Sequence, residues 1–423
     1  MIRSKLVLAA HLLTILAAIL ALAGSALAVG PKEKILYSFR DRPDGALPEA
    51  GLIFDVAGSL YGTTDRGGTG SNDGCSGCGA IFKLEPNSDG TWTESVLYSF
   101  GGNDGLYPDY GLIFDTAGNL YSTTQVAGCC GEAFELKHTL AGWQFDVIHA
   151  FQGHGGSQPR ASLVLDKKGN LYGTAVAGGG TGMGAVFKLS PQSGGTWSDT
   201  LLYGFKYRND GAAPQAPVTF DESGNLYGTT TYGGNNACPA GCGTVFKLTP
   251  TGHRQWKETL IHQFSGTDGA SPFAGLVADR QGNFYGSAGQ GGSPGCFAGC
   301  GTIFRLHPVS GGKWKLTVLH IFKEPEGGSP AGVMVFDGAG NLYGTTVIGG
   351  NLNACPVQHG CGVVFKLAPG THGKWKYTVL HKFNNSPDGA LPNGIVMDNA
   401  GNLYGTTIGG GTFGVGTVFE VTP

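Results

Sequence analysis

A chain of 423 residues with a formal net charge of −3 has no basic stripe to neutralise phosphates. Nucleic acid is therefore an unsuitable partner, and nothing favours electrostatic attachment to a membrane. Gly 76 is more than twice the usual share, while charged residues reach only 13%. That composition fits either low complexity or many tight turns between short strands, and a repeat decides for the second.

Met1–Lys5 is a short basic stretch, and Leu6–Gly24 is almost unbroken apolar sequence. Ala26-Leu27-Ala28 then supplies the small-x-small site that a signal peptidase reads. The expectation is a signal peptide over 1–28 and export to the extracellular space or periplasm. The run is long enough to span a bilayer, so an uncleaved anchor is the alternative. No second run of that length follows, and the mature chain, 29–423, is expected to stand clear of the membrane.

From there the phrase Gly-Asn-Leu-Tyr-Gly-Thr-Thr recurs, centred on Tyr61, Tyr121, Tyr172, Tyr227, Tyr285, Tyr343 and Tyr404, 51 to 61 residues apart. Seven units of this length suit propeller blades. They lie near 51–100, 111–151, 162–205, 216–264, 275–322, 332–383 and 394–421. Each reads as four strands. A short apolar run such as 51–55 comes first, followed by Asn-Leu-Tyr-Gly-Thr-Thr and then Gly-Thr-Val-Phe-Lys-Leu. The fourth is led by a Trp (92, 143, 197, 256, 314, 375). The Asp-x-x-Gly-Asn between first and second strands has complete turn chemistry, the Asp accepting backbone bonds and the Gly supplying positive φ. No calcium-loop spacing follows it.

The seventh unit stops at Pro423 without a Trp-led strand, while Ile35-Leu-Tyr-Ser-Phe39 near the mature N-terminus has that strand's pattern. The fold class expected is all-β: a seven-bladed β-propeller of four-stranded blades, its last blade completed by 34–39. An open solenoid would need polar capping repeats instead. The unit Asp-x-x-Gly-Asn-Leu-Tyr-Gly-Thr-Thr…Gly-Thr-Val-Phe-Lys-Leu resembles the GloVer tandem repeat of secreted bacterial proteins over essentially all of 34–423. That resemblance implies the architecture and no particular reaction.

All ten cysteines fall in the loop between second and third strands: Cys75/Cys78, Cys129/Cys130, Cys238/Cys242, Cys296/Cys300 and Cys355/Cys361. In an exported chain they read as five local disulfides. Zinc would need more than two thiolates per loop, so no metal or other cofactor is expected. Cys129 and Cys130 are neighbours, about 3.8 Å apart at Cα, below the usual disulfide range.

In an up-and-down blade these loops share a face with the segments that enter the next blade, such as 44–48, 210–214 and 388–392. The residue after the Pro of each segment should stand at the mouth of the central channel. Around the ring it reads Glu49, Asp109, Arg160, Gln215, Phe273, Ala331 and Asn393, changing chemistry at nearly every blade. Free drift of exposed positions is the plainer explanation, and recognition on a rigid scaffold the sharper one. Tyr107, Tyr110, Tyr232, Phe297 and Phe413 could stack on sugars or anchor a partner near that face. His149, His262, His320 and His381 alternate with Tyr37, Tyr98 and Tyr203 at one outer position, which fits packing or hydrogen bonding better than metal ligation. The six Trp read as blade-stacking residues. No nucleophile elbow, zinc-protease motif or phosphate loop appears.

The expectation is a monomeric, non-enzymatic binding or scaffold module for carbohydrate or a cell-surface protein. Its ligand residues are Glu49, Asp109, Tyr110, Arg160, Gln215, Phe273 and Asn393. The alternative is a polysaccharide hydrolase or lyase using Glu49 and Asp109, which would require those carboxyls about 5 to 9.5 Å apart.

Overall fold

The computed structural model describes residues 30–423 except 73, 74, 253, 254 and 297, together with the backbone but not the side chains of 71, 72, 75 and 76. The signal-peptide expectation, the Cys75 side chain and Phe297 lie outside the described residues. Seven antiparallel sheets follow one another around an axis. The first blade runs Ile53–Phe54, Leu60–Thr64, Ala80–Pro86, Trp92–Ser99 from the channel outwards. In the seventh, Ala390–Met397, Leu403–Gly409 and Thr417–Thr422 are joined by the N-terminal strand Lys32–Ser38. The all-β, seven-bladed fold and its closure are as the repeat implies. Two short 3-10 turns are the only helical elements among the described residues.

The N-terminal strand is a full member of its blade. It pairs Lys32 with Thr422, Ile35 with Phe419 and Tyr37 with Val418, with a bulge at Leu36. The third-to-fourth pairing of every other blade carries a bulge at the same place, as at Ile81/Phe82 and Val245/Phe246. Innermost strands differ from expectation. In four blades the innermost strand is only two residues long, such as Ile53–Phe54, and in the third Val164–Leu165 is preceded by a separate short pairing of Ser157–Pro159. The segment between the Pro and that strand leaves the ladder to bond across to neighbouring blades, as described below.

Several repeated letters of the unit make contacts between blades. The Phe that ends a fourth strand meets the Phe of the next blade's third strand edge-on, seven times. The pairs include Phe100–Phe134 at 5.5 Å, Phe264–Phe304 at 5.2 Å and Phe383–Phe419 at 5.0 Å. Phe39–Phe82 at 5.0 Å is the pair that closes the ring. Such geometry adds about 0.5–1.5 kcal/mol per pair beyond area burial. The Trp packs on the preceding blade's repeat Tyr, as in Trp143–Tyr61 and Trp197–Tyr121. The first Thr of Gly-Thr-Thr donates its hydroxyl to the next blade's inner segment: Thr63 to Tyr110 O, Thr229 to Ala274 O, Thr406 to Ala50 O.

A glycine–proline clasp repeats seven times on the loop face. The Gly that opens each third strand has φ of +88° to +105°, and a Cβ there would come within 2.7 Å of the next blade's Pro Cδ. Gly79 faces Pro108, Gly184 faces Pro214, and Gly416 faces Pro48 across the closure. Only a residue without a side chain fits both the dihedral and the space.

Candidate functional site at the channel mouth

The rim of the channel is built by the residue before each Pro. Leu47, Tyr107, Gln158, Ala213, Ser271, Ser329 and Leu391 all have φ between 51° and 59°, a region that non-glycine residues rarely adopt. The backbone is held there from two sides. Its N–H donates to the preceding blade's second-to-third loop: Gln158 to Cys130 O at 2.7 Å, Ser271 to Cys242 O at 2.9 Å, Ser329 to Cys300 O at 2.8 Å. In blades 1, 2, 4 and 5 its carbonyl accepts from the residue after Thr-Thr or its equivalent, as Asp65 N–H does to Leu47 O at 3.0 Å. Strain of this kind persists where surrounding contacts over-determine the backbone, and it clusters at functional sites.

Two residues beyond each clamp, Glu49, Asp109, Arg160, Gln215, Phe273, Ala331 and Asn393 line one cavity of about 480 Å³. The structure brings together all seven positions picked out by the sequence, and Tyr110 with them. A second ring stands beside the first and was not read from the sequence: Asp65, Gln125, Val176, Thr231, Gly289, Val347 and Ile408, the residues following the second-strand Thr-Thr or its equivalent. The two rings meet within single blades. Gln215 Nε2 donates to Thr231 Oγ1 at 3.1 Å. A Cβ on Gly289 would lie 2.1 Å from Phe273 Cε1, so the Phe273 ring occupies the place of the missing side chain.

The lining side chains are unevenly spread: Glu49, Asp109, Arg160 and Gln215 come from blades 1 to 4, whereas Phe273, Ala331, Val333, Val347 and Ile408 belong to blades 5 to 7, with Asn393 a polar member of blade 7. Asp65 and Gln125 stand against Asp109 behind the lining. On blades 1 to 3 three carboxyls accompany one guanidinium. Gln125 bridges Asp109 and Arg160 when its amide is oriented with Nε2 donating to Asp109 Oδ2 at 3.2 Å. Its Oε1 then accepts from Arg160 Nε at 2.8 Å and from Nη2. Arg66 Nε pairs with Asp65 Oδ2 at 3.2 Å. Burial, then the bond to and charge of Asp65, then the charge of Glu49 push the Asp109 carboxyl up to about 10; Arg160 opposes without offsetting them. Burial and Asp65 raise Glu49 against the pull of Arg66 and Arg160. Burial and the neighbouring Asp109 also raise the Tyr110 hydroxyl. These contributions favour the protonated form of Asp109 beside a second carboxyl group, an arrangement suited to donating a hydrogen bond or a proton.

The model of the Gloeobacter/Verrucomicrobia repeat matches residues 68–298 and 278–423. The chain belongs to that family. Among curated proteins none is similar to it in sequence. A fungal alcohol oxidase of the AA5 family, solved in complex with copper, aligns with a TM-score of 0.57 at 13% identity, covering 93% of this chain and 76% of that one. This likeness concerns the fold alone. A gluconolactonase from Xanthomonas campestris aligns at 0.41 with 15% identity over 73% of this chain and 83% of its own.

The remaining letters of the Gloeobacter/Verrucomicrobia repeat have structural partners. Disulfides join Cys129–Cys130, Cys238–Cys242, Cys296–Cys300 and Cys355–Cys361, the first across a Cα separation of 3.7 Å, and Cys78 is also bonded. The second cysteine of each pair is the one whose carbonyl clamps the next blade's rim. At six of the seven outer Tyr/His positions, His149 being the exception, the side chain reaches the acidic residue of the following loop. Tyr203 Oη donates to Asp210 at 2.6 Å, His262 Nε2 meets Asp268 at 2.8 Å and His320 Nε2 meets Glu326 at 3.2 Å. In the Asp-x-x-Gly-Asn turns Asp166 accepts from Lys168 N–H, Asn170 and Tyr172. Burial opposes its ionisation, but these bonds outweigh burial and hold the carboxyl below its usual range. Tyr232 and Phe413 are exposed on the loop face, while Tyr107 is half-buried.

Proposed function

We propose that this chain is an exported binding module that takes a carbohydrate, or the glycan of a cell-surface partner, in the mouth of its channel. One observation carries the reading. Seven side chains that change chemistry from blade to blade converge on a single cavity, its charged members on blades 1 to 3 and its aromatic one on blade 5. Concave sites with a few convergent polar groups and perturbed titrating residues are where small ligands bind. Export is supported by the N-terminal apolar run and by the disulfides, which belong to oxidising compartments. No helix among the described residues is long and apolar enough to cross a membrane. The test is a glycan array probed with wild type and with a Tyr110→Ala/Phe273→Ala double variant. Retention of signal by the folded double variant would move the site elsewhere, and no signal from either protein would leave a scaffold role.

A second reading, a polysaccharide hydrolase or lyase, is favoured by the protonated Asp109 and the Glu49 carboxyl in one cavity. Glycosidic cleavage uses such a donor and a second carboxylate. Here the expected result is release of reducing ends from a bound polysaccharide, abolished in Asp109→Asn and Glu49→Gln; an inert wild type excludes the reaction for that substrate.

A further inference from the structure

Resting on the carbohydrate reading above, we infer that the mouth selects a sugar unit bearing a free amine, with the ammonium against Asp109 and Glu49, backed by Asp65, and the ring on Phe273. Four observations carry this. Carboxyls outnumber guanidinium groups here: Glu49 of blade 1 and Asp109 of blade 2 line the cavity with Arg160 of blade 3, Asp65 stands against Asp109 behind them, and Arg66 is the largely exposed partner of Asp65. Arg160 Nε and Nη2 are already engaged by Gln125 Oε1. An anion entering here would meet three carboxyls, with only the remaining guanidinium N–H groups to receive it.

Asp109 Oδ1 is buried and accepts no hydrogen bond from any described donor. An oxygen that no donor of the fold reaches is an acceptor that a ligand N–H can satisfy. Asp65 can bond Asp109 only while one of the two carboxyls holds a proton, so that proton stands where a ligand N–H can replace it. The opposite wall supplies the rest of the fit. Phe273 is seated on Gly289, and Ala331, Val347 and Ile408 line the same cavity. A pyranose has one apolar face and a polar edge, and an aromatic ring suits the former while the acidic wall meets the latter. The groups facing Asp109 are Asp65 and Glu49, Gln125 and Tyr110 of its own blade, and Arg160. Seating an ammonium among them converts Asp109 to the carboxylate and expels one proton.

Titration calorimetry on the purified mature chain at mildly acid pH decides the matter. Three oligosaccharides of equal length are compared: one of glucosamine, its fully N-acetylated form, and one of a uronic acid. The glucosamine oligomer is expected to bind at least tenfold more tightly than either other. Buffers of different ionisation enthalpy should report release of close to one proton. Asp109→Asn should lose the preference and the proton release while keeping its thermal transition, and Glu49→Gln should weaken the preference. Equal binding of the acetylated form, or no proton release, overturns the amine inference and leaves the carbohydrate reading standing. Tightest binding by the uronic acid oligomer would make Arg160 the anchor and overturn it too. Failure of all three to bind removes the carbohydrate reading, and this inference with it.

Discussion

Phe273 and Gly289 divide one volume between them, and that makes the pair a sensitive handle on the mouth. Alanine at 289 puts its Cβ where the Phe273 ring lies. Gly289→Ala should therefore turn the ring out of its seat, lowering affinity for any ring-stacked ligand about tenfold or more, with little change in melting temperature. Binding isotherms beside thermal melts check this. Asp109 gives the pH dependence. Its carboxyl is ordinary in the unfolded chain and raised to about 10 in the fold, so the folded state binds the extra proton between those limits. Its contribution to stability is complete in acid below its unfolded value and is lost as pH rises toward 10. Asp109→Asn cannot ionise, so its melting temperature should gain on wild type steadily from mild acid to pH 9; a constant difference would contradict the shift. At this scale the first ring was legible because each member follows a Pro. The second was not, because the residue after Thr-Thr looks like an ordinary strand end. Its signal was the same blade-to-blade change of chemistry, Asp65, Gln125, Thr231, Gly289, Ile408, at a fixed place in the repeat.

Between neighbouring blades the repeated letters act as fasteners: Phe on Phe, Trp on Tyr, Thr hydroxyl on carbonyl, Gly on Pro. The last is the most demanding, since Gly184 combines φ of +103° with a Pro214 Cδ at 2.5 Å from any Cβ. Gly224, at φ +80°, has open space around it. Gly224→Ala should cost about 1 kcal/mol from the dihedral alone, and Gly184→Ala about 2 kcal/mol more. Urea unfolding of the two variants measures the clasp by difference. The short disulfide loops join the same device, because their second cysteines present carbonyls to the rim of the next blade. Strand order and the loop face were readable from turn residues and from the period of the repeat. The shortness of the inner strands was not. Propensity cannot tell a segment paired in a ladder from one whose N–H and carbonyl groups cross to neighbouring blades.

Over the whole molecule the ring is held by seven like interfaces, one of which depends on the N-terminal strand. Phe39 and Phe264 are both fully buried and make the same edge-on contact with the following blade. Phe39→Ala and Phe264→Ala should each cost about 3–5 kcal/mol in one cooperative transition. A much smaller cost at Phe39 would mean that the closure is only loosely held. The ring also separates a face of uniform Asp-x-x-Gly-Asn turns from one of varied loops around the cavity, and the functional account rests on that division. Hydrogen–deuterium exchange of the intact protein, with and without the tightest-binding oligosaccharide, tests it most directly. The account predicts added protection in the post-proline segments of blades 1 to 5, around residues 49–51, 109–111, 160–162, 215–217 and 273–275, with the turns unchanged. Protection confined to the Asp-x-x-Gly-Asn turns or to the outer strands, with the mouth unaffected, would contradict it.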